Sequence, residues 1–337
     1  DIAVMRAEEV PTLLASRESV KTAADSLPVS ADTLKIPTAA AAKLDTADSV
    51  KRLAALASGD KSGKWKNLKT PLPKPGAILP FKRVVAYYGN FYSTRMGILG
   101  ELPEDEVLEK LKTEVEKWEK ADTTTPVQPA IHYICVTAQQ SGGKGGKYRL
   151  RMPFDQIEKA LDMAKNADAI VFLDIQVGKS TLQDELPRLD TFLKMPHVHL
   201  AIDPEFSMKT EHAPGVKVGT FDAEDVNWAA RYLAGLVKLF DLPPKMLVVH
   251  RYTRKMLTNY KEIKPLPEVQ IVIDMDGWGG RAKKKMTYRQ FIYPEPVQFT
   301  GFKIFYKNDT KKVGAATEMQ PEDVLKLVPK PIYIQYQ

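Results

Sequence analysis

From residue 81 to the end of the chain, short apolar runs alternate with longer segments in which apolar residues recur at every third or fourth place. The short runs are "RVVAYYG" (83–89), "PAIHYICVTA" (129–138), "AIVFLDIQ" (169–176), "VHLAIDPEF" (198–206), "KMLVVHRY" (245–252), "VQIVIDMDGW" (269–278), "GFKIFYKND" (301–309) and "PIYIQYQ" (331–337). Their length and their β-branched and aromatic content predict strands. Segments such as "EDEVLEKLKTEVEKWEKA" (104–121), "FDQIEKALDMAKNA" (154–167) and "AEDVNWAARYLAGLVKLF" (223–240) carry the helical spacing instead. Strands alternating with helices predict parallel βαβ units with right-handed crossovers. Eight such strands predict an α/β chain closed as a (β/α)8 barrel of TIM type, with an open doubly wound sheet as the alternative. The sequence stops at the eighth strand without a following helix. The N-terminal segment is therefore expected to cover that flank.

Residues 1–80 read differently. They are rich in Ala, Ser, Thr, Lys and Pro and end in "KTPLPKPG". Short helices are expected at 6–24 and 46–57, within an N-terminal arm or linker that precedes the barrel domain, residues 81–337.

Strand side chains alternate between faces, so parity sorts each run into a helix-facing and a lumen-facing set. In the fourth run Val198, Leu200 and Ile202 make one apolar set, which leaves His199, Ala201, Asp203 and Glu205 pointing inward. In the third, Val171, Leu173 and Ile175 face the helices and turn Asp174 and Gln176 into the lumen. The sixth puts Ile271, Ile273 and Met275 outside and Asp274, Asp276 and Trp278 inside. Five carboxylates from three strands then gather toward the C-terminal mouth, where barrel enzymes build their sites. Grouped, desolvated acids repel one another, which separates their pKa values into a proton donor and a charged base. The competing structural explanation is that these acids cap loops or pair with Lys303, Lys307 or Arg251.

Aromatic and polar side chains should share the same mouth. Tyr87 and Tyr88 end the first run, His250 and Tyr252 the fifth and Tyr306 the seventh, while "DGWGG" (276–280) places Trp278 before two glycines. Rings beside acids suit a sugar, whose C–H faces stack while its hydroxyls bond to carboxylates.

Composition removes several other classes. The net charge of +7 and pI near 9.1 permit anionic partners, but the lysines are scattered, with no basic helix, so a nucleic-acid partner is not expected. The single cysteine, Cys135, excludes an intrachain disulfide and sits in "IHYICV" as a buried, inert thiol. No window is apolar enough to span a bilayer. "VGKST" (177–181) fails as a phosphate loop because Leu173 stands where its first glycine belongs. "HVH" (197–199) places His199 too deep for a catalytic zinc, and no G-x-S-x-G elbow is present. The chain begins at Asp1 rather than Met, as a processed or trimmed chain would.

The blocks "VVAYYGNFYSTRMGILGE", "VFLDIQVGKS", "LAIDPEFSM", "DVNWAARYLAGLV", "LVVHRYT", "IDMDGWG" and "FKIFYKND", in this order over residues 83–337, resemble a family of bacterial exported or lipoprotein-type barrels frequent in actinobacteria. Here Phe206 stands where that pattern has Trp after the D-P-E triplet. The resemblance implies a barrel and an extracellular or cell-envelope location, with lipid anchoring through a removed N-terminal segment, and it brings no established reaction. At motif level, Asp203 and Glu205 also resemble the D-x-E that closes the fourth strand of chitinase- and lysozyme-type glycoside hydrolases. In those enzymes the Glu is the general acid and the Asp orients the substrate or tunes the Glu. The longer D-x-x-D-x-D-x-E run is missing, since Leu200, Ala201 and Ile202 precede Asp203.

The expected function is a glycoside hydrolase-like enzyme acting on an envelope or environmental polysaccharide. Glu205 is the expected proton donor, Asp203 its partner, and Asp174 or Asp276 the nucleophile or base. Tyr88, Gln176, His250, Tyr252, Asp274, Trp278 and Tyr306 are the expected sugar-binding groups. No cofactor is expected, although a hard divalent cation on Asp174, Asp203 and Asp276 stays open. The alternatives are a non-catalytic glycan-binding or envelope-scaffold barrel and a divalent-metal-dependent hydrolase. The oligomeric state is not legible.

Overall fold

The computed structural model describes residues 44–143, 145–310 and 318–337. The barrel strands are β1 (Arg83–Gly89), β2 (Val127–Ala138), β3 (Ile170–Ile175), β4 (Val198–Ile202), β5 (Lys245–Arg251), β6 (Val269–Met275), β7 (Phe299–Ile304) and β8 (Tyr333–Tyr336). They belong to a nine-stranded sheet whose remaining member, Arg149–Arg151, pairs antiparallel with β2 as a short hairpin. The other eight run parallel. The barrel closes because β1 pairs with both β8, at Val84 and Tyr333, and β2, at Arg83 and Val127. An open sheet would leave β1 or β8 an unpaired edge.

Alternation along these strands builds two apolar layers. Val171, Leu173, Ile175, Val198, Leu200, Ile202, Ile271, Ile273 and Met275 pack outward under the helices. Val84, Ala86, Ala130, Ile170, Phe172, Ala201, Met246, Val248 and Val272 fill the lower lumen. Among the helices are α1 (Thr46–Leu56), α2 (Glu104–Ala121), α3 (Phe154–Lys165), α4 (Ala223–Leu239), α5 (Arg281–Thr287) and α6 (Pro321–Val324). In α2, Pro103 begins the helix and three acids fill its first turn, where the helix dipole favours them. Its buried residues Val107, Leu111, Glu114 and Trp118 fall three, four or seven apart, one stripe laid on the barrel. In α4 a reciprocal capping box joins Asp222 and Asp225.

The described part of the N-terminal segment does not cover the flank left without a helix after β8. Leu53, Leu56, Ile78 and Leu79 instead pack against the lower lumen cluster. Leu79 exchanges two hydrogen bonds with the Gln270 side chain, at 3.1 and 2.6 Å. The backbone of Lys330 donates to Leu56 O at 2.8 Å, and that of Lys74 to Pro267 O at 3.0 Å. Each of these partners lies at or just before the start of a strand, so the segment crosses the N-terminal end of the barrel. Aromatic side chains pack together beside β8 and β1. Tyr306 stacks on Tyr336 with centroids 5.3 Å apart, Trp118 donates to the Tyr336 hydroxyl at 2.9 Å, and Tyr87 meets Tyr306 edge-on at 6.3 Å. The helix expected at 46–57 is present as α1, whereas 6–24 lies outside the described residues. Among the described residues, no helix is long and apolar enough to cross a membrane.

Candidate active site

The C-terminal mouth of the barrel opens into a cavity of about 510 Å³ bordered by Tyr88, Gln176, Asp203, Glu205, Tyr252, Asp276, Trp278 and Lys303. Two local structures deliver its carboxylates. β4 ends at Ile202, and Asp203 Oδ1 accepts from the Glu205 backbone N–H at 2.9 Å, capping a 3-10 turn, Pro204–Phe206, with Pro204 in its first position. Glu205 therefore reaches the cavity from a capped turn and not as an inward strand residue, so parity alone does not account for it. Asp276 follows β6 directly, and the loop behind it is fixed through Asp309. That carboxylate accepts from Gly279 N at 2.8 Å and Phe305 N at 2.9 Å, and pairs with Lys284 at 2.9 Å.

Oxygen atoms of Asp203, Glu205 and Asp276 all lie within 4.8 Å of one another. Tyr252 donates its hydroxyl to Glu205 Oε1 at 2.9 Å, and the Gln176 amide reaches Asp203 Oδ2 at 3.4 Å. The Lys303 ammonium sits 3.5 Å above the Tyr88 ring. Lys303 is the basic residue that faces the acids, since Lys307 pairs with Glu101 at 2.5 Å and Arg251 pairs with Glu295. Trp278 carries the Lys283 ammonium 4.7 Å over its ring.

Burial controls the ionisation of this cluster. It pushes the Glu205 carboxyl up to about 7, aided by the charge of Asp276 and opposed by Tyr252, Lys303 and His250. Burial also drives Asp203 well above the usual carboxylate range; Glu205, Asp276 and Asp174 add to it and His250 resists. Asp276 is raised by burial against the attraction of His250 and Lys303. Burial lowers the Lys303 ammonium, while four neighbouring carboxylates act to retain its charge. A carboxyl poised near neutrality beside a second carboxylate has the makings of an acid–base pair.

Several expected catalytic and sugar-binding residues lie elsewhere. Asp174, His250 and Asp274 are fully buried, one layer below the cavity floor, where strand residues two places earlier point. Asp174 is thus not with Asp203 and Asp276, as a shared cation would need; its Oδ2 contacts His132 Nε2 and His250 Nε2, each at 3.1 Å. Burial alone would raise Asp174, but the charge of His250 and hydrogen bonds from both imidazoles hold it far below the carboxylate range. Burial lowers His132 to about 4. It also disfavours charge on His250, yet Asp174, Asp274 and Asp276 outweigh it and raise that pKa well above normal. Tyr306 does not line the cavity, because its hydroxyl meets that of Tyr87 at 2.9 Å in the outer aromatic layer. His199 lies deep, its Nδ1 accepting from Met246 N at 3.1 Å. Cys135 is buried, its thiol donating to Asp174 O at 3.3 Å.

His132, Tyr333 and Gln335 were not singled out from the sequence, although inward parity with Ala130 marks His132 on β2. His132 Nδ1 lies 2.6 Å from the Tyr333 hydroxyl and 3.0 Å from the Gln335 amide. Gly301 makes room beside them, since a Cβ there would come within 2.5 Å of Asp274 Oδ1 and 2.9 Å of Tyr333 Cδ1.

No protein-family model matches the chain, and neither does a curated protein. Solved structures similar to it include a ruminal GH26 endo-beta-1,4-mannanase, with 12% identity over 90% of this chain and 64% of that one, at a TM-score of 0.36. This chain thus spans under two thirds of that first structure. The YdhT protein from Bacillus subtilis is similar at 11% identity, covering 91% of this chain and 88% of that one, with a TM-score of 0.40. Bacillus subtilis mannanase man26 is similar at 11% identity, over 90% and 88%, with a TM-score of 0.37.

Proposed function

We propose that the chain is a glycoside hydrolase-like, carbohydrate-active enzyme in which Glu205 is the proton donor and Asp276 the opposing carboxylate. The observation that carries this is the grouping of Asp203, Glu205 and Asp276 within 4.8 Å, at a cavity that Trp278 and Tyr252 also border. Protonated Glu205 would donate its hydrogen to the glycosidic oxygen as the bond to the anomeric carbon breaks. Asp276 would attack that carbon, and Glu205, now a carboxylate, would take a proton from the water that releases the sugar. Close approach of the carboxyl groups favours this double displacement, which uses a separation of about 5–5.5 Å, over inversion at about 6.5–9.5 Å. Asp203 holds the turn that presents Glu205 and is a positioning residue. Lys303 favours the charged form of Asp276 between turnovers. An envelope or environmental polysaccharide is the proposed substrate, and that setting rests on the resemblance of the sequence blocks.

The test is a screen of the purified chain against envelope and plant-type glycans, with Glu205→Gln and Asp276→Asn as controls. Each substitution should lower turnover by at least about 10²-fold to 10³-fold while the fold persists. Hydrolysis that survives both would refute the roles. Calorimetric binding of a glycan without any product after long incubation would favour the non-catalytic alternative.

The same three carboxylates support a second reading, in which they hold a hard divalent cation for metal-assisted hydrolysis. Lys303 beside them weighs against it. Activity lost to a chelator and restored by a divalent ion would select this alternative.

A further inference from the structure

We propose that His132, Asp174 and His250 form a binding site for a divalent transition-metal ion of the zinc class, one layer below the cavity floor. This goes beyond the carboxylate chemistry above and does not depend on it. The three side chains come from β2, β3 and β5, and all three are fully buried. Each imidazole turns its Nε2 to the same atom, Asp174 Oδ2, at 3.1 Å in both cases. Tetrahedral ligands about 2.0–2.1 Å from zinc stand about 3.3 Å from one another, so these contacts match the edges of a coordination polyhedron. Two imidazoles and a carboxylate are also the ligand chemistry that such an ion selects.

Hydrogen bonding alone accounts less well for the cluster. It loads both ring N–H groups onto one carboxylate oxygen and leaves Asp174 Oδ1 buried with no hydrogen-bond partner. Asp274 Oδ1, in the same layer, is also buried without one. Buried polar atoms are seldom left so, and those in this layer have room for a further partner.

The outer nitrogens lie beside polar groups of the kind that support metal-bound histidines. His250 Nδ1 lies 3.4 Å from Asp274 Oδ2 and 3.5 Å from Asp276 Oδ2 with no hydrogen bond formed to either, so a carboxylate acceptor stands within a small shift of its hydrogen. His132 Nδ1 faces the Tyr333 hydroxyl at 2.6 Å. The Gln335 amide oxygen has no partner as placed, and turning the amide over sets that oxygen at the 3.0 Å now spanned by Nε2, where it accepts from Nδ1–H. With both Nδ1 atoms donating, both Nε2 lone pairs are free for a metal. The His132 ring is held in this orientation by Phe172, stacked at 5.3 Å and 13°.

The experiment uses the full chain. Metal is removed with a strong chelator, and the protein is titrated with Co²⁺, followed by its visible absorption, and with Zn²⁺ in competition. The expected result is one equivalent bound per chain, bound also by Glu205→Gln but lost in His132→Ala. Tyr333→Phe should weaken binding by about 10-fold to 100-fold, as removal of a supporting hydrogen bond does. Because a histidine variant could fail to fold, X-ray absorption of the zinc-loaded wild type supplies an independent readout, in which two imidazole ligands are expected. Absence of stoichiometric binding, an all-oxygen shell, or binding that depends on Glu205 overturns the assignment.

Discussion

Tyr252 donates its hydroxyl to Glu205 Oε1 at 2.9 Å, and this bond restrains the raised pKa of that carboxyl. A hydrogen bond to the charged form favours that form. Tyr252→Phe should therefore raise the Glu205 pKa above about 7, by about one unit. Carbon-detected NMR titration of the labelled carboxyl measures it without a substrate. A pKa that falls would show that the hydroxyl does not stabilise the carboxylate.

Stability should respond to the same acid. Glu205 titrates at 4.5 ordinarily and at about 7 in the folded chain. Its raised folded pKa means that its contribution to stability is fully present below pH 4.5 and is lost as pH rises through 7. Above that window the charged carboxylate costs the fold on the order of 1–3 kcal/mol, allowing for its partial exposure. Glu205→Gln should thus be more stable than wild type at pH 8, with the difference fading toward pH 4. Denaturant unfolding at both pH values checks this. A variant less stable at pH 8 would contradict the buried-charge account.

Gly301 leaves no room for a methyl group between Asp274 and Tyr333. Gly301→Ala should destabilise the chain by about 1–3 kcal/mol, the usual cost of overpacking. Thermal unfolding would reveal it, and an unchanged midpoint would mean that Asp274 does not pack against this strand.

At the opposite end of the barrel, Leu79 is fully buried and closes the lumen. Leu79→Ala should cost about 2–5 kcal/mol. Removing all residues before Phe81 should lower the unfolding midpoint further and expose apolar surface to a hydrophobic dye. A truncated chain as stable as the full one would show that residues 44–80 add nothing to the barrel.

The periodicities of 2 and 3.6 are local properties, so the sequence by itself determined the eight barrel strands, the long helices at 104–121, 154–167 and 223–240 and the facing of the barrel-strand residues, while the short hairpin strand Arg149–Arg151 went unmarked. Val198, Leu200 and Ile202 had to face outward once β4 was a buried strand, and Asp203 then had to face the lumen. Glu205 reached the same cavity for another reason, a turn capped by Asp203, which no strand alternation encodes. Tertiary structure alone decided depth and partnership. Parity cannot tell the lower lumen from the mouth, so Asp174, Asp274 and His250 read as cavity residues, though burial sets them one layer beneath it. Nor can it say which side chains converge from β2, β3 and β5, because barrel closure sets that distance. His132, one residue in an apolar run, acquired its meaning only when the closed sheet brought it against Asp174 and His250. The aromatic packing of Tyr87, Tyr306 and Tyr336 likewise depends on strands far apart in sequence meeting where the barrel shuts.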